Sequence, residues 1–163
     1  MKVKFFITGG TICKRYNEIS GALEFRESFI PGILERGRCK LEYSTEQLML
    51  KDSLEMGDED RQAILASCEA CEESKIIISH GTDTMVDTAR VLGPKLENKT
   101  VVLVGAMIPY SISNSDANFN LGCAVTAVQL LGAGVFVVMN GHIFRWDDVS
   151  KNRGEGIFQH ADL

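Results

Sequence analysis

The run Lys75-Ile76-Ile77-Ile78-Ser79-His80-Gly81-Thr82-Asp83-Thr84-Met85-Val86-Asp87-Thr88-Ala89-Arg90-Val91-Leu92 reads as a strand, a turn and a helix in immediate succession. Its three consecutive isoleucines are β-branched and apolar whichever way the side chains alternate, as a strand buried on both faces requires. Small and hydroxyl residues around Gly81 end the strand. From Thr84 onward Met85, Ala89 and Leu92 recur at steps of four and three, which is one face of a helix.

The same grammar extends in both directions. Val3 to Ile7 is a short apolar strand stopped by Gly9-Gly10, Val101 to Val104 is another, and Val135 to Met139 a fourth; Lys40 to Gln47 alternates weakly and reads as a further strand. Glu59 to Glu73 carries Ile64, Cys68 and Cys71 on one stripe. Phe119 to Leu131 carries Leu121, Ala124, Val125, Val128 and Leu131 on another. Strand–helix alternation implies parallel strands joined by right-handed crossovers. The predicted fold is therefore α/β: a doubly wound, mostly parallel sheet in flavodoxin-like layers, with residues 1–163 as a single domain. Residues 9 to 34 are the least regular stretch; Gly21, Pro31 and Gly32 suggest a mobile loop.

Composition excludes several classes of function. The chain has 163 residues, 45% hydrophobic and 24% charged, which argues against disorder. A net charge of −5 gives no basic field for nucleic acid or an anionic membrane. The longest apolar stretch, Ala124 to Met139, is interrupted by Thr126, Gln129, Gly132 and Gly134, and falls short of the roughly 20 apolar residues of a membrane span. The apolar run after Lys2 and Lys4 stops at Ile7, too short for a secretory leader. Five cysteines, an odd number at scattered positions, fit a reduced cytoplasmic protein better than a disulfide scaffold. Cys68-Glu69-Ala70-Cys71 lies inside a predicted helix. A redox pair should open a helix and zinc needs four ligands, so these are expected to be core thiols, with no metal and no cofactor.

In this architecture ligands bind beyond the carboxyl ends of the strands. Four polar segments end the four clear strands: Thr8 to Ile12, Ser79 to Met85, Gly105 to Pro109, and Asn140 to His142. The first two set threonines beside glycines, where backbone can approach a ligand closely. The second opens a helix, whose N–H groups and dipole suit an anion or a developing oxyanion. The bland reading is turn chemistry, with Thr84 and Asp87 as a simple capping box and His80 as a structural residue beside its turn.

These segments resemble, in order, those of the bacterial-type L-asparaginase/glutaminase family. Thr8-Gly9-Gly10-Thr11-Ile12 and His80-Gly81-Thr82-Asp83-Thr84-Met85 are similar to its two signatures. Ser53-Leu54-Glu55-Met56 resembles its Ser-x-x-Met segment. Val104 to Pro109 with Ser115-Asp116 and Asn118 to Leu121, and Val137 to Asn140 with Asp148 to Lys151, resemble the segments that follow. The resemblance implies an amidohydrolase that opens L-asparagine, and less readily glutamine, through a threonyl ester. On it, Thr11 is the nucleophile, Thr82 the second hydroxyl linked to Lys151, and Asp83 stands beside them and takes the α-ammonium. Ser53 takes the α-carboxylate, Gly10 belongs to the substrate-binding set, the Ala106 carbonyl lies near the leaving nitrogen, and N–H groups near Thr11 and Thr82 line the oxyanion hole. Tyr16 is the candidate loop tyrosine that assists Thr11.

The chemistry is coherent by itself. A threonine hydroxyl is a poor nucleophile at neutral pH and needs a base or a relay. A lysine, ordinarily with a pKa of about 10.4, acts as base only where desolvation or a nearby cation lowers it; a carboxylate beside it does the reverse. The expected part of Asp83 is thus geometry and charge balance, and both Tyr16 and the Thr82–Lys151 pair remain open as the group that deprotonates Thr11. Three departures from the family stand out. Its smaller C-terminal domain, which helps hold the α-ammonium, is expected to be absent; Leu54 replaces a polar residue; and Cys13 replaces a small one. A homo-oligomer is expected to cover the surfaces this leaves. Alternatives are a non-catalytic amino-acid-binding or assembly subunit, and an amidase for another small carboxamide.

Overall fold

β1 (Lys2–Gly9) is the strand around which the rest is organised in a computed structural model that describes residues 1–161. Its apolar residues Val3, Phe5, Phe6 and Ile7 are all buried. The chain then makes a 3₁₀ turn over Thr11–Cys13, a hairpin of β2 (Lys14–Tyr16) and β3 (Leu23–Phe25), and the short helix α1 (Ile30–Arg36). The stretch expected to be a mobile loop is thus a turn, a hairpin and a helix start. β4 (Glu42–Lys51), α2 (Asp58–Ala70), β5 (Lys75–Ser79), α3 (Met85–Leu92), β6 (Thr100–Val104), α4 (Ala117–Leu130) and β7 (Gly134–Met139) follow as alternating elements. β8 (His142–Arg145), β9 (Ser150–Asn152) and β10 (Ile157–Gln159) complete the described chain.

The main sheet has the order β4-β1-β5-β6-β7-β8. The first five strands pair in parallel, and only β8 runs antiparallel, on the edge beside β7. This is the doubly wound α/β sheet the sequence calls for. β5 and β6 have Ile76, Ile77, Ile78, Val101, Val102, Leu103 and Val104 fully buried, which is why both read as unbroken apolar runs. β4 alternates only weakly because it is an edge strand. α2 packs against α3, and α4 lies across β5, β6 and β7. No helix among the described residues is long and apolar enough to cross a membrane.

From β1 the chain moves outward to β4, then returns to the other side of β1 for β5. The order therefore reverses between β1 and β5, and the carboxyl ends of these two strands are the switch point where a doubly wound sheet places its ligand site. Register makes the strand ends level: Ile7 faces Ser79, and Ser79 faces Val104.

Helix ends differ from the sequence reading by a few residues, with local causes. α2 stops at Ala70 because Cys71 turns extended and its N–H donates to the Ser67 carbonyl. The acidic start of α2 is used: Asp60 Oδ2 accepts the Gly57 N–H at 3.0 Å and its Oδ1 takes Lys51 Nζ at 2.7 Å. Thr84 and Asp87 form no capping box; Thr84 makes no side-chain cap for α3 and is tied to Ser53 instead.

Candidate active site

At this switch point backbone meets backbone. β1 ends in Gly9 and Gly10, both with positive φ, and the Gly10 N–H donates to the Lys51 carbonyl at 2.9 Å. A Cβ on Gly10 would stand 2.4 Å from the Gly81 nitrogen, one on Gly81 would stand 2.6 Å from Ser53 Oγ, and one on Gly105 would stand 2.4 Å from the His80 carbonyl oxygen. Only glycine fits at each contact. The segments after β1, β4, β5 and β6 are thereby drawn together. Thr11 and Thr82 each follow one member of the touching pair Gly10 and Gly81, so their loops are neighbours.

The 3₁₀ turn buries Ile12 and Cys13 and leaves Thr11 half-buried. Among the described residues no group hydrogen-bonds to the Thr11 hydroxyl. Lys14 Nζ meets Asp52 Oδ2 at 2.5 Å, and Asp52 Oδ1 accepts the Leu54 N–H at 3.0 Å. The Lys14 hydrogen bond, helped by that N–H, holds the Asp52 carboxyl below its ordinary range. Lys14 and Asp52 thus clip the Thr11 turn to the Ser53 turn. The sequence does not announce this role; two charges 38 positions apart leave no local signal.

The structure brings Thr82 and Lys151 together. β9 pairs with β10 and projects Lys151 so that Nζ lies 2.8 Å from Thr82 Oγ1 and 2.7 Å from Asp83 Oδ1. The Lys151 side chain is only 8% exposed, and that of Asp83 39%. With its oxygen receiving Lys151, the Thr82 hydroxyl donates to Met107 Sδ at 3.5 Å, a weak acceptor. Arg153 Nη2 donates to the Asp83 carbonyl at 3.2 Å, from the same hairpin. The backbone N–H groups of Thr82 and Asp83 donate to no group among the described residues. They lie just before α3, where its dipole favours negative charge.

His80 is the post behind this loop. It is fully buried, Nδ1 lies 2.8 Å from the Gly81 carbonyl, and Nε2 lies 2.8 Å from Thr88 Oγ1. Burial pushes its pKa down to about 4, so the ring is neutral. Its Nδ1–H then donates to Gly81, and Nε2 accepts from Thr88.

Ser53 is 1% exposed. Its Oγ accepts the Thr84 N–H at 3.3 Å, and its carbonyl accepts Thr84 Oγ1 at 2.8 Å. Leu54 beside it is 64% exposed at the rim. Ala106 is fully buried, and among the described residues no donor occupies its carbonyl oxygen. Asp116 holds the loop beyond it by accepting the N–H groups of Met107 and Ile108 at 2.9–3.0 Å. Tyr16 is 52% exposed on β2 and makes no hydrogen bond to Thr11.

Of the Cys68–Cys71 pair, Cys68 is fully buried in α2, and Cys71 is half-buried just beyond the helix end. Burial pushes the Cys68 thiol up to about 12. All five cysteines are free thiols.

A chain with this site matches a known family model. Residues 2–158 fit the model described as Asparaginase, N-terminal. The chain is 31% identical over 95% of its length to a glutamyl-tRNA(Gln) amidotransferase subunit from Methanococcus vannielii, and spans 37% of that protein. It is 34% identical over 96% of its length to an L-asparaginase of Thermococcus kodakarensis, spanning 49% of it. The solved structure of the thermostable L-asparaginase from Thermococcus kodakarensis superposes on all of this chain with a TM-score of 0.88 and 29% identity, over 52% of that structure. The chain thus spans about half or less of the length of these relatives.

Proposed function

Because the chain belongs to the asparaginase family through that family's N-terminal domain, we propose that it serves an amidohydrolase that converts L-asparagine to L-aspartate and ammonia through a threonyl ester. The observation that carries the reading is the assembled trio of Lys151, Thr82 and Asp83 beside the loop of Thr11.

In this reading the Thr11 hydroxyl attacks the side-chain amide carbon. A C–O bond forms, and the oxyanion is received by the N–H groups of Thr82 and Asp83, which no acceptor among the described residues occupies. Such preorganised donors are each worth about 10²–10³ in rate. Collapse breaks the C–N bond, and in net the proton given up by Thr11 leaves on ammonia. The Thr82–Lys151 pair supports the relay role better than Tyr16 does. Lys151 donates to the Thr82 oxygen, and the Thr82 hydroxyl hydrogen-bonds only a weak thioether acceptor; in the relay the Thr82 oxygen takes the Thr11 proton while its own proton passes to the nitrogen of the tetrahedral intermediate, which leaves as ammonia. Water then attacks the ester, releases aspartate and restores Thr11. Ser53 and Asp83 are assigned the α-carboxylate and α-ammonium, Gly10 the close backbone approach, and the Ala106 carbonyl the leaving nitrogen.

Self-association belongs to the same reading, supported by exposed Phe119, Leu130 and Ile143 along one apolar groove beside α4. So does a reducing, cytoplasmic setting, supported by five free thiols.

The test is ammonia release from a panel of amides. Wild type should act on L-asparagine ahead of glutamine, and Thr11→Ala and Thr82→Val should abolish release. Folded protein with no release across the panel would refute the enzyme reading. A second reading, a component that supplies ammonia inside an amidotransferase, is favoured by the amidotransferase relative from Methanococcus vannielii. It is distinguished by glutamine outranking asparagine.

A further inference from the structure

Lys151 is placed by a hairpin of two three-residue strands, β9 and β10. So short a ribbon is marginal without support, yet Lys151 Nζ is held at two hydrogen-bond distances. Besides Arg153 on the Asp83 carbonyl, the support includes a chain of polar side chains. Asp116, at the start of α4, takes Asn120 Nδ2 at 2.8 Å. The same Nδ2 donates to the Gly105 carbonyl at 3.2 Å, and Asn120 Oδ1 accepts the Asn140 backbone N–H at 3.2 Å. Asn140 Oδ1 in turn accepts the Phe158 N–H at 2.9 Å. Phe158 is the residue directly opposite Lys151 in the β9–β10 ladder, and it is buried.

We infer that Asn140 is a positioning residue for Lys151, linking the strand end that carries Ala106 to the hairpin that carries the ammonium. This rests on the amidohydrolase reading for its effect on rate, but not for its effect on Lys151 itself. The residue type is dictated twice. Asn140 has φ 55, a left-handed conformation that asparagine tolerates better than other side chains. Its side chain must also present an acceptor to a main-chain N–H. Both ends of the polar chain reach the site: Gly105 precedes Ala106, and Phe158 faces Lys151. Loss of the Oδ1 contact removes the hydrogen bond that ties β10 to the end of β7 and loosens the ribbon on which Lys151 is placed.

The substitutions follow from this. Asn140→Gly keeps the positive φ and removes the acceptor, whereas Asn140→Asp keeps both. The first readout does not need activity: the rate at which acetic anhydride acylates the Lys151 amine, followed by peptide mass spectrometry on the full chain. Asn140→Gly should raise that rate at least fivefold over wild type, while Asn140→Asp should stay within twofold. Other lysines serve as internal references, so global loosening is recognised by a rise at all of them and would overturn the inference. The second readout is steady-state ammonia release. Asn140→Gly should lower kcat tenfold or more with KM within threefold, and Asn140→Asp should recover kcat to within threefold. Unchanged Lys151 labelling in Asn140→Gly would overturn the inference. If wild type released no ammonia, the amidohydrolase reading would fail, and the labelling result would still decide the placement of Lys151.

Discussion

Lys151 Nζ reaches Thr82 Oγ1 at 2.8 Å, although 69 positions of chain separate them. Its side chain is nearly closed off from solvent and is paired with Asp83 at 2.7 Å. Replacing Lys151 by Met keeps most of the stem and removes the ammonium. Ammonia release from L-asparagine should fall by at least about 10²-fold, as for loss of one preorganised electrostatic group, with the far-UV circular dichroism unchanged. A rate within threefold of wild type would remove Lys151 from the reaction.

Gly10 should tolerate no side chain. A Cβ there meets the Gly81 nitrogen at 2.4 Å and sits at φ +75. Overpacking and left-handed strain together should cost Gly10→Ala about 2–5 kcal/mol, read from the urea midpoint, and should eliminate activity by parting the two threonine loops. Gly32 is the control. It lies in α1 with open space around its Cβ position, so Gly32→Ala should be neutral or stabilising by up to about 1 kcal/mol.

Stability should depend on His80 at mildly acid pH. Burial lowers its folded pKa to about 4, below the ordinary 6.5. The unfolded chain therefore binds the extra proton first as pH falls. The contribution is fully present above pH 6.5 and is lost progressively down to about pH 4. At about 1.4 kcal/mol per pH unit, the full interval corresponds to roughly 3 kcal/mol. The urea midpoint of wild type should decline over this window, and His80→Asn should decline less steeply. Equal slopes in the two proteins would contradict the neutral, buried ring.

The five thiols should divide by burial. Cys13 and Cys68 are buried, while Cys39, Cys71 and Cys123 are half-buried. Burial raises the pKa of both buried thiols. In native protein at pH 8, Ellman's reagent should leave Cys13 and Cys68 unmodified until denaturant is added. Prompt reaction at Cys68 would revive a redox role for the Cys68–Cys71 pair.

The sheet is legible in the sequence because burial on both faces writes itself as uninterrupted β-branched runs, as at Ile76 to Ile78. The strand-end clusters are legible because a doubly wound topology sends every such end to one edge. The exact helix ends are not, since Cys71 is decided by one contact to Ser67 and Thr84 by two contacts to Ser53. The Lys14–Asp52 clip is also invisible, and the resemblance marks the segments of Asp116, Asn120 and Asn140 without showing what these residues bind. All are common polar residues whose meaning lies only in which distant groups they bind. Tyr16 is legible by its residue type and its place after Thr11, and it lies exposed on the β2–β3 hairpin.

The most direct measurement is to quench the protein in acid during turnover of L-asparagine and analyse its peptides by mass spectrometry. The expected result is an aspartyl ester on Thr11, absent from Thr11→Ala, together with ammonia release that is lost in the same variant. Ammonia release at wild-type rate by Thr11→Ala, or turnover with the ester on another residue, would contradict Thr11 as the nucleophile.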